Sequence, residues 1–94
     1  MNRKKSFLKT QAQTTPFPIG LDIESAKGSY IYDKSGKAFI DMIAGVAVNN
    51  IGHNHPKVVS AIEKQLKKHM HVMVYGEFIQ DSQLNFAQSL TSIL

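Results

Sequence analysis

The segment Asp33-Lys34-Ser35-Gly36 constrains the fold most, because it separates two short runs rich in aromatic and β-branched residues. Ser29–Tyr32 and Lys37–Asp41 have the composition of β-strands. Asp opens such a turn through its side chain, and Gly closes it in a left-handed conformation. Leu21–Ser25 alternates apolar and polar residues and predicts a third strand, joined through a turn at Ala26-Lys27-Gly28. The pattern predicts a three-stranded antiparallel meander.

This meander is predicted to run from residue 21 to residue 42 and to be followed by two helices, at 56–69 and 81–94. Pro56 occupies the first helical position, where its missing N–H costs nothing, and an apolar stripe follows. Asp81 or Ser82 is predicted to cap the last helix. The fold class is therefore α+β.

Length and composition exclude several classes of protein. The 94 residues are 43% hydrophobic and 19% charged, which predicts one small globular domain with a small core. The sequence contains no cysteine, so disulfides and cysteine-type zinc sites are excluded. No apolar run has the form of a secretory signal or a membrane span, so the expected location is the cytoplasm.

The net charge of +4 lies in the N-terminal arm and linker, residues 1–20. Arg3, Lys4, Lys5 and Lys9 account for it, because the other basic residues equal the seven acidic residues in number. A short helix is predicted over residues 3–13. A basic arm can contact nucleic acid or anionic lipid, but no basic face interleaved with aromatic residues supports that role. A solvated, partly frayed terminus is the preferred interpretation.

Residue chemistry alone predicts no self-sufficient active site. The histidines form two pairs, His53/His55 and His69/His71, but no carboxylate lies at ligand spacing, so structural roles are favoured over a metal site. The lysines lie in turns, on the polar helix face or in the N-terminal arm, and none occupies an apolar setting suited to imine chemistry. We therefore predict no catalytic, cofactor-binding or metal-binding residue on this chain.

The segment from Ala44 to Pro56 predicts a positioned loop. It begins with small and apolar residues, continues with the polar pair Asn49-Asn50, and ends in Gly-His-Asn-His-Pro before the helix. Together with the block from Gly28 to Asp41, and with the Pro-started helix as far as Gln65, it closely resembles the N-terminal part of the class III aminotransferases. These fold-type I enzymes include the acetylornithine, ornithine and 4-aminobutyrate aminotransferases. The blocks occur in the family's order and spacing across residues 14–94.

The resemblance implies that this is an N-terminal fragment of a pyridoxal phosphate-dependent enzyme. That enzyme would transfer an amino group between an amino acid or amine and a 2-oxo acid. By the same resemblance, residues 21–94 form part of the small domain and the lead into the large domain. Val46 and Tyr75 are the expected substrate-binding residues. The residues that bind the cofactor are expected outside this chain, so the chain alone is expected to be inactive.

Two alternatives stay open at this point. One is a non-catalytic remnant that acts as a protein-interaction module, and the other is a basic-tailed binder of nucleic acid or membrane. Under all of these interpretations, the last helix is apolar around most of its circumference and needs a larger protein surface to pack against. We therefore expect a homodimer or higher oligomer joined through residues 81–94, and also through the Ala44–Ile51 loop.

Overall fold

The computed structural model describes residues 2–73 and 75–94. It has an α+β fold with a three-stranded sheet of order β1-β2-β3. The elements are α1 (Arg3–Thr10), β1 (Ile23–Lys27), β2 (Tyr30–Asp33), β3 (Ala38–Ile40), α2 (Ala44–Ala47), α3 (Pro56–Leu66) and α4 (Asp81–Thr91). The predicted antiparallel meander is therefore confirmed.

The turn between β2 and β3 forms through the side chain that the sequence indicated. One carboxylate oxygen of Asp33 accepts hydrogen bonds from the backbone N–H groups of Ser35 (2.8 Å) and Lys37 (3.0 Å). Gly36 adopts a φ of +85° and donates its N–H to the Asp33 carbonyl oxygen. The strands then pair in register, with Ile31 opposite Phe39.

The first hairpin turn is shorter than predicted. Ala26 and Lys27 belong to β1, where they pair with Ile31 and Tyr30, so the predicted turn at residues 26–28 is wrong. Gly28, at a φ of +57°, makes the reversal instead, because a glycine adopts this conformation without the steric cost of a Cβ.

Both predicted C-terminal helices are present with shorter bounds. After Leu66, the N–H groups of Lys68 and His69 both donate to the Gln65 carbonyl oxygen, which tightens the chain and ends α3. The predicted Asp81 or Ser82 cap of α4 is wrong. Gln80 is the capping residue, but its side chain accepts no hydrogen bond from the helix, and its amide donates to the Met73 carbonyl oxygen.

The basic arm is more ordered than the preferred interpretation assumed. It forms α1, capped by the Asn2 side chain, which accepts from the Lys5 N–H. Arg3 makes a two-bond contact with the Asp22 carboxylate, at 2.6 and 3.1 Å. This guanidinium holds the pKa of Asp22 below its ordinary value, mainly through the side-chain hydrogen bond.

The predicted small core is wrong. Within the described part of the chain, no side chain is buried, and most large apolar residues are substantially exposed. Large apolar side chains of the sheet, of α3 and of α4 are therefore exposed on these elements.

The chain divides into two compact units, Met1–Ala61 and Ile62–Leu94. The first contains α1, the sheet and the loop that follows β3; the second contains α4. Among residues 2–73 and 75–94, no helix combines the length and apolar character needed to cross a bilayer.

Candidate functional site

The loop that follows β3 is anchored at both ends on the first hairpin turn. We call residues 42–52 the anchored loop. At its start, the Asp41 N–H donates to the Ser29 carbonyl oxygen at 2.9 Å. At its end, His53 and Gly28 exchange two backbone hydrogen bonds, at 2.8 and 3.0 Å. Both ends of the loop are therefore held by adjacent residues of one turn.

The side chains of Asp41 and His53 join the same two ends directly. A carboxylate oxygen of Asp41 lies 2.6 Å from the Nε2 atom of His53. Asp41 and His53 are only 11% and 18% exposed, so they are among the better shielded polar side chains. A hydrogen bond to a carboxylate is stronger in such a partly shielded setting than in open water.

The other carboxylate oxygen of Asp41 organises the backbone that follows. It accepts hydrogen bonds from the N–H groups of Ile43 (3.0 Å) and Ala44 (2.9 Å). The Ala44 bond is the main reason that the pKa of Asp41 lies below its ordinary value, and the bond to His53 contributes next. Asp41 therefore links the end of a strand, a histidine and the start of a turn.

The turn that Asp41 introduces, α2, is left-handed, and we call it the left-handed turn. Its four residues have positive φ angles: Ala44 (50°), Gly45 (61°), Val46 (60°) and Ala47 (62°). The left-handed conformation costs a non-glycine residue roughly 1–2 kcal/mol, because its Cβ crowds the backbone, and a β-branched residue is a particular outlier. Such a conformation persists only where the surroundings determine it strongly.

Backbone hydrogen bonds close the left-handed turn. The carbonyl oxygen of Ala44 accepts from the N–H groups of Val48 (2.8 Å) and Asn49 (2.9 Å). The carbonyl oxygen of Ile43 accepts from those of Val46 and Ala47. These bonds and the Asp41 carboxylate offset the steric cost of the turn.

Val46 projects from this turn into open space. Its side chain is 84% exposed, and the neighbouring apolar side chains of Met42, Val48 and Ile51 are also exposed. The loop therefore combines a tightly bonded backbone with an apolar surface free for contact with another molecule or another part of the protein.

Tyr75, the other predicted substrate-binding residue, lies in the second unit. It has a φ of +65°, it precedes Gly76 at +69°, and its side chain is 88% exposed. Its neighbour Val74 lies outside the described residues. Val46 and Tyr75 thus share a feature that sequence reasoning did not reveal: both hold a left-handed backbone, which is uncommon away from glycine.

Two of the histidines, His53 and His69, have local hydrogen-bond partners. His53 bonds to Asp41, and the Gln65 side-chain amide lies 3.3 Å from Nε2 of His69 and donates to its carbonyl oxygen. In the described ranges, no three His, Asp or Glu side chains come together as a metal site would require.

A family model, aminotransferase class III, matches residues 10–94. The chain belongs to this family. It is 44% identical over 73 residues to an acetylornithine aminotransferase of Methanosarcina mazei, covering 78% of this chain and 18% of that one. It is 34% identical over 88 residues to a 4-aminobutyrate aminotransferase of Escherichia coli, covering 85% and 21%.

Solved structures agree with the family assignment. An acetylornithine aminotransferase from Elizabethkingia anophelis superposes with a TM-score of 0.79 at 26% identity, covering 96% of this chain and 22% of that chain. An ornithine δ-aminotransferase from Plasmodium falciparum gives 0.78 at 26% identity, covering 95% and 22%. The chain spans about a fifth of the length of these relatives.

Proposed function

We propose that this chain forms the first part of a pyridoxal phosphate-dependent class III aminotransferase and contributes to its substrate pocket. The reaction would move an amino group between an amino acid or amine and a 2-oxo acid. Family membership supports the reaction class. The observation that carries the assignment to the pocket is the exposed Val46 on a backbone fixed by hydrogen bonds.

Val46 would contact the carbon chain of the substrate. An apolar side chain on a rigid loop can select substrates by shape, because its position does not adjust to each ligand. The left-handed conformation supports this role, since backbone strain concentrates at ligand-contacting sites. Tyr75 would add a second substrate-facing side chain, with an aromatic ring and a hydroxyl group able to bond polar groups.

The lysines of the chain do not fit covalent attachment of the cofactor. When bound, pyridoxal phosphate supplies the carbonyl group to which the substrate's amino group is transferred. A lysine that forms an imine is usually activated by desolvation, whereas every lysine side chain here is exposed. We propose that the attachment residue and the phosphate-binding residues belong to another part of the complete enzyme.

The remaining assignments follow from the same proposal. Residues 1–20 would be an arm and linker, and residues 21–94 part of the small domain and the lead into the large one. The enzyme would be a cytoplasmic homodimer or higher homo-oligomer, and the exposed apolar residues of α4 and of the anchored loop would form part of its subunit contacts. No observation favours a non-catalytic interaction module over this assignment.

The test is a Val46→Phe substitution in the complete enzyme, assayed with a panel of amino donors of increasing size. The larger ring should fill space in the pocket, so the preference for small over large donors should rise by about tenfold. Cofactor absorbance should stay at the wild-type level, because the loop is assigned to the substrate.

Ile19→Phe is the control, since it introduces the same aromatic ring at an exposed apolar position outside the anchored loop. It should leave the donor ranking unchanged. Equal relative rates for Val46→Phe and wild type across the panel would contradict the pocket assignment.

A further inference from the structure

We propose that Asp41 and His53 are positioning residues for substrate selection, acting through the left-handed turn that carries Val46. This inference rests on the proposed function of Val46. Neither side chain needs to touch the substrate, because each acts through the backbone of the anchored loop.

The carboxylate of Asp41 connects the left-handed turn to His53. Its two oxygens serve different elements: one accepts the N–H groups of Ile43 and Ala44, and the other lies 2.6 Å from His53 Nε2. Rotation of the carboxylate would break all three bonds together. His53 therefore fixes the orientation in which Asp41 can hold the turn.

His53 is itself held in position by the first hairpin. Its backbone is paired with Gly28, and the neighbouring Asn54 side chain donates to the Ala26 carbonyl oxygen at 2.8 Å. The backbone that carries the imidazole is thus held on the sheet by hydrogen bonds that do not involve the anchored loop. A rigid support of this kind is what holds a ligand-contacting side chain to within a fraction of an ångström.

The left-handed turn is the conformation that needs this support. Ala44, Val46 and Ala47 all hold φ angles that L-residues avoid. Without the Asp41 bonds, the turn would relax toward right-handed or extended backbone, and the direction of the Val46 side chain would change. The effect would reach the substrate preference without any change of the residues that touch the substrate.

The test uses His53→Phe, which keeps a planar ring but removes the nitrogen, and His53→Gln, whose amide can still donate to Asp41. Hydrogen exchange in the complete protein should be about tenfold faster across residues 42–48 in His53→Phe, with strands β2 and β3 unchanged. His53→Gln should restore much of the protection. Equal exchange in His53→Phe and wild type would overturn the proposal.

The second readout is the donor ranking in a double-mutant cycle with Val46→Ala. His53→Phe should change the ranking by several-fold when Val46 is present and leave it unchanged in the Val46→Ala background, where the two methyl groups that would contact the substrate are absent. A merely structural role for His53 would lower activity equally for all donors in both backgrounds, and that result would overturn the proposal.

The two readouts separate this inference from the proposed function. If Val46 substitutions leave the ranking unchanged, the pocket assignment fails, whereas the exchange measurement still decides whether His53 holds the turn. If Val46 substitutions change the ranking but His53→Phe does not, only the present inference fails. Should His53→Phe not fold, Asp41→Asn replaces it: a smaller change in the same direction supports the proposal, and wild-type behaviour overturns it.

Discussion

At the scale of single residues, the anchored loop depends on two glycines that face each other. Gly52 has a φ of +86°, and a Cβ placed there would lie 3.1 Å from the carbonyl oxygen and 3.2 Å from the Cα atom of Gly28. Backbone atoms cannot move aside as a flexible side chain can. Gly52 is therefore required both for its conformation and for the close approach of the loop to the hairpin.

Gly52→Ala should lower the free energy of unfolding by about 2–3 kcal/mol, because left-handed strain adds to a backbone clash. Gly28→Ala is the control: its φ is +57°, and a Cβ there would have no contact within 4 Å in the described part of the chain. It should cost only about 1 kcal/mol. Urea unfolding measures the free energy of unfolding of both variants. An equal decrease in the two would show that the close approach of Gly52 to Gly28 does not affect stability.

Asp33 gives the β2–β3 turn a pH dependence. The hydroxyl of Ser35, with the backbone N–H groups of Lys37 and Ser35, holds the pKa of Asp33 below its ordinary value of 3.8. A carboxylate with a depressed folded-state pKa stabilises fully above its unfolded pKa, and this contribution is lost as the pH falls through the folded value.

Urea midpoints measured from about pH 6 down to about pH 2 should therefore fall more steeply for wild type than for Asp33→Asn, which cannot ionise. Asp81→Asn, which removes an exposed carboxylate from the first turn of α4, serves as the control. Parallel curves for wild type and Asp33→Asn would mean that the turn carboxylate does not contribute to stability.

At the scale of elements, the sequence predicted what depends on local chemistry. The Asp–Gly turn, the alternating strands and the Pro-started helix all encode their structure within a few residues, and all are present. The left-handed turn was missed because Ala44, Val46 and Ala47 individually disfavour it. It depends on bonds from Asp41 and on the pairing of His53 with Gly28, which lies far away in sequence.

The ends of elements were missed for a related reason. Glutamines lie at the cap of α4 and at the end of α3. Gln80 caps α4 without a side-chain bond to the helix, and the backbone carbonyl oxygen of Gln65 accepts the N–H groups of Lys68 and His69 where α3 ends. Glutamine is not a usual capping residue, so no sequence pattern indicated these helix ends. A carboxylate at a strand end, with small residues beginning three positions later at Ala44, is the signal that does point to Asp41.

The apolar surface of α4 predicts association. Phe86 and Leu90 are 68% and 44% exposed and lie one turn apart on the helix. Burying a side chain of this kind is worth roughly 1.5–3 kcal/mol. Phe86→Glu should therefore shift sedimentation at micromolar concentration toward monomer, whereas Asn85→Asp, a charge on another side of the helix, should not. A wild-type protein that sediments only as a monomer would contradict the predicted interface.

At the scale of the whole molecule, the described residues form supporting structure without a buried core. Apolar side chains of the sheet, the anchored loop and α4 are exposed and available for contact with other protein surfaces. This agrees with a chain that spans about a fifth of its relatives. Any reaction in which this chain takes part should therefore depend on the protein surfaces against which the chain packs.

The 94-residue chain, mixed with pyridoxal phosphate and reduced with borohydride, should not yield a stoichiometric adduct at a single lysine. All its lysines are exposed, so each should react weakly and none selectively. Visible absorbance before and after reduction, with peptide mapping, measures this. One lysine modified to completion would contradict the expectation, and Val46→Phe should behave like wild type because it alters no lysine.

The two adjacent anchors on Gly28 and Ser29 also bear on how such an enzyme can diversify. Because both ends of residues 42–52 are fixed to one hairpin, the entropy lost in closing the loop is set by the length of the loop and depends little on the identity of its interior residues. We therefore expect that residues 42–52 can be replaced as one unit. If Val46 contacts the substrate as proposed, we expect that the interior of the anchored loop can be exchanged with that of a relative when Asp41, Gly52 and His53 are retained, and that the substrate preference changes with it.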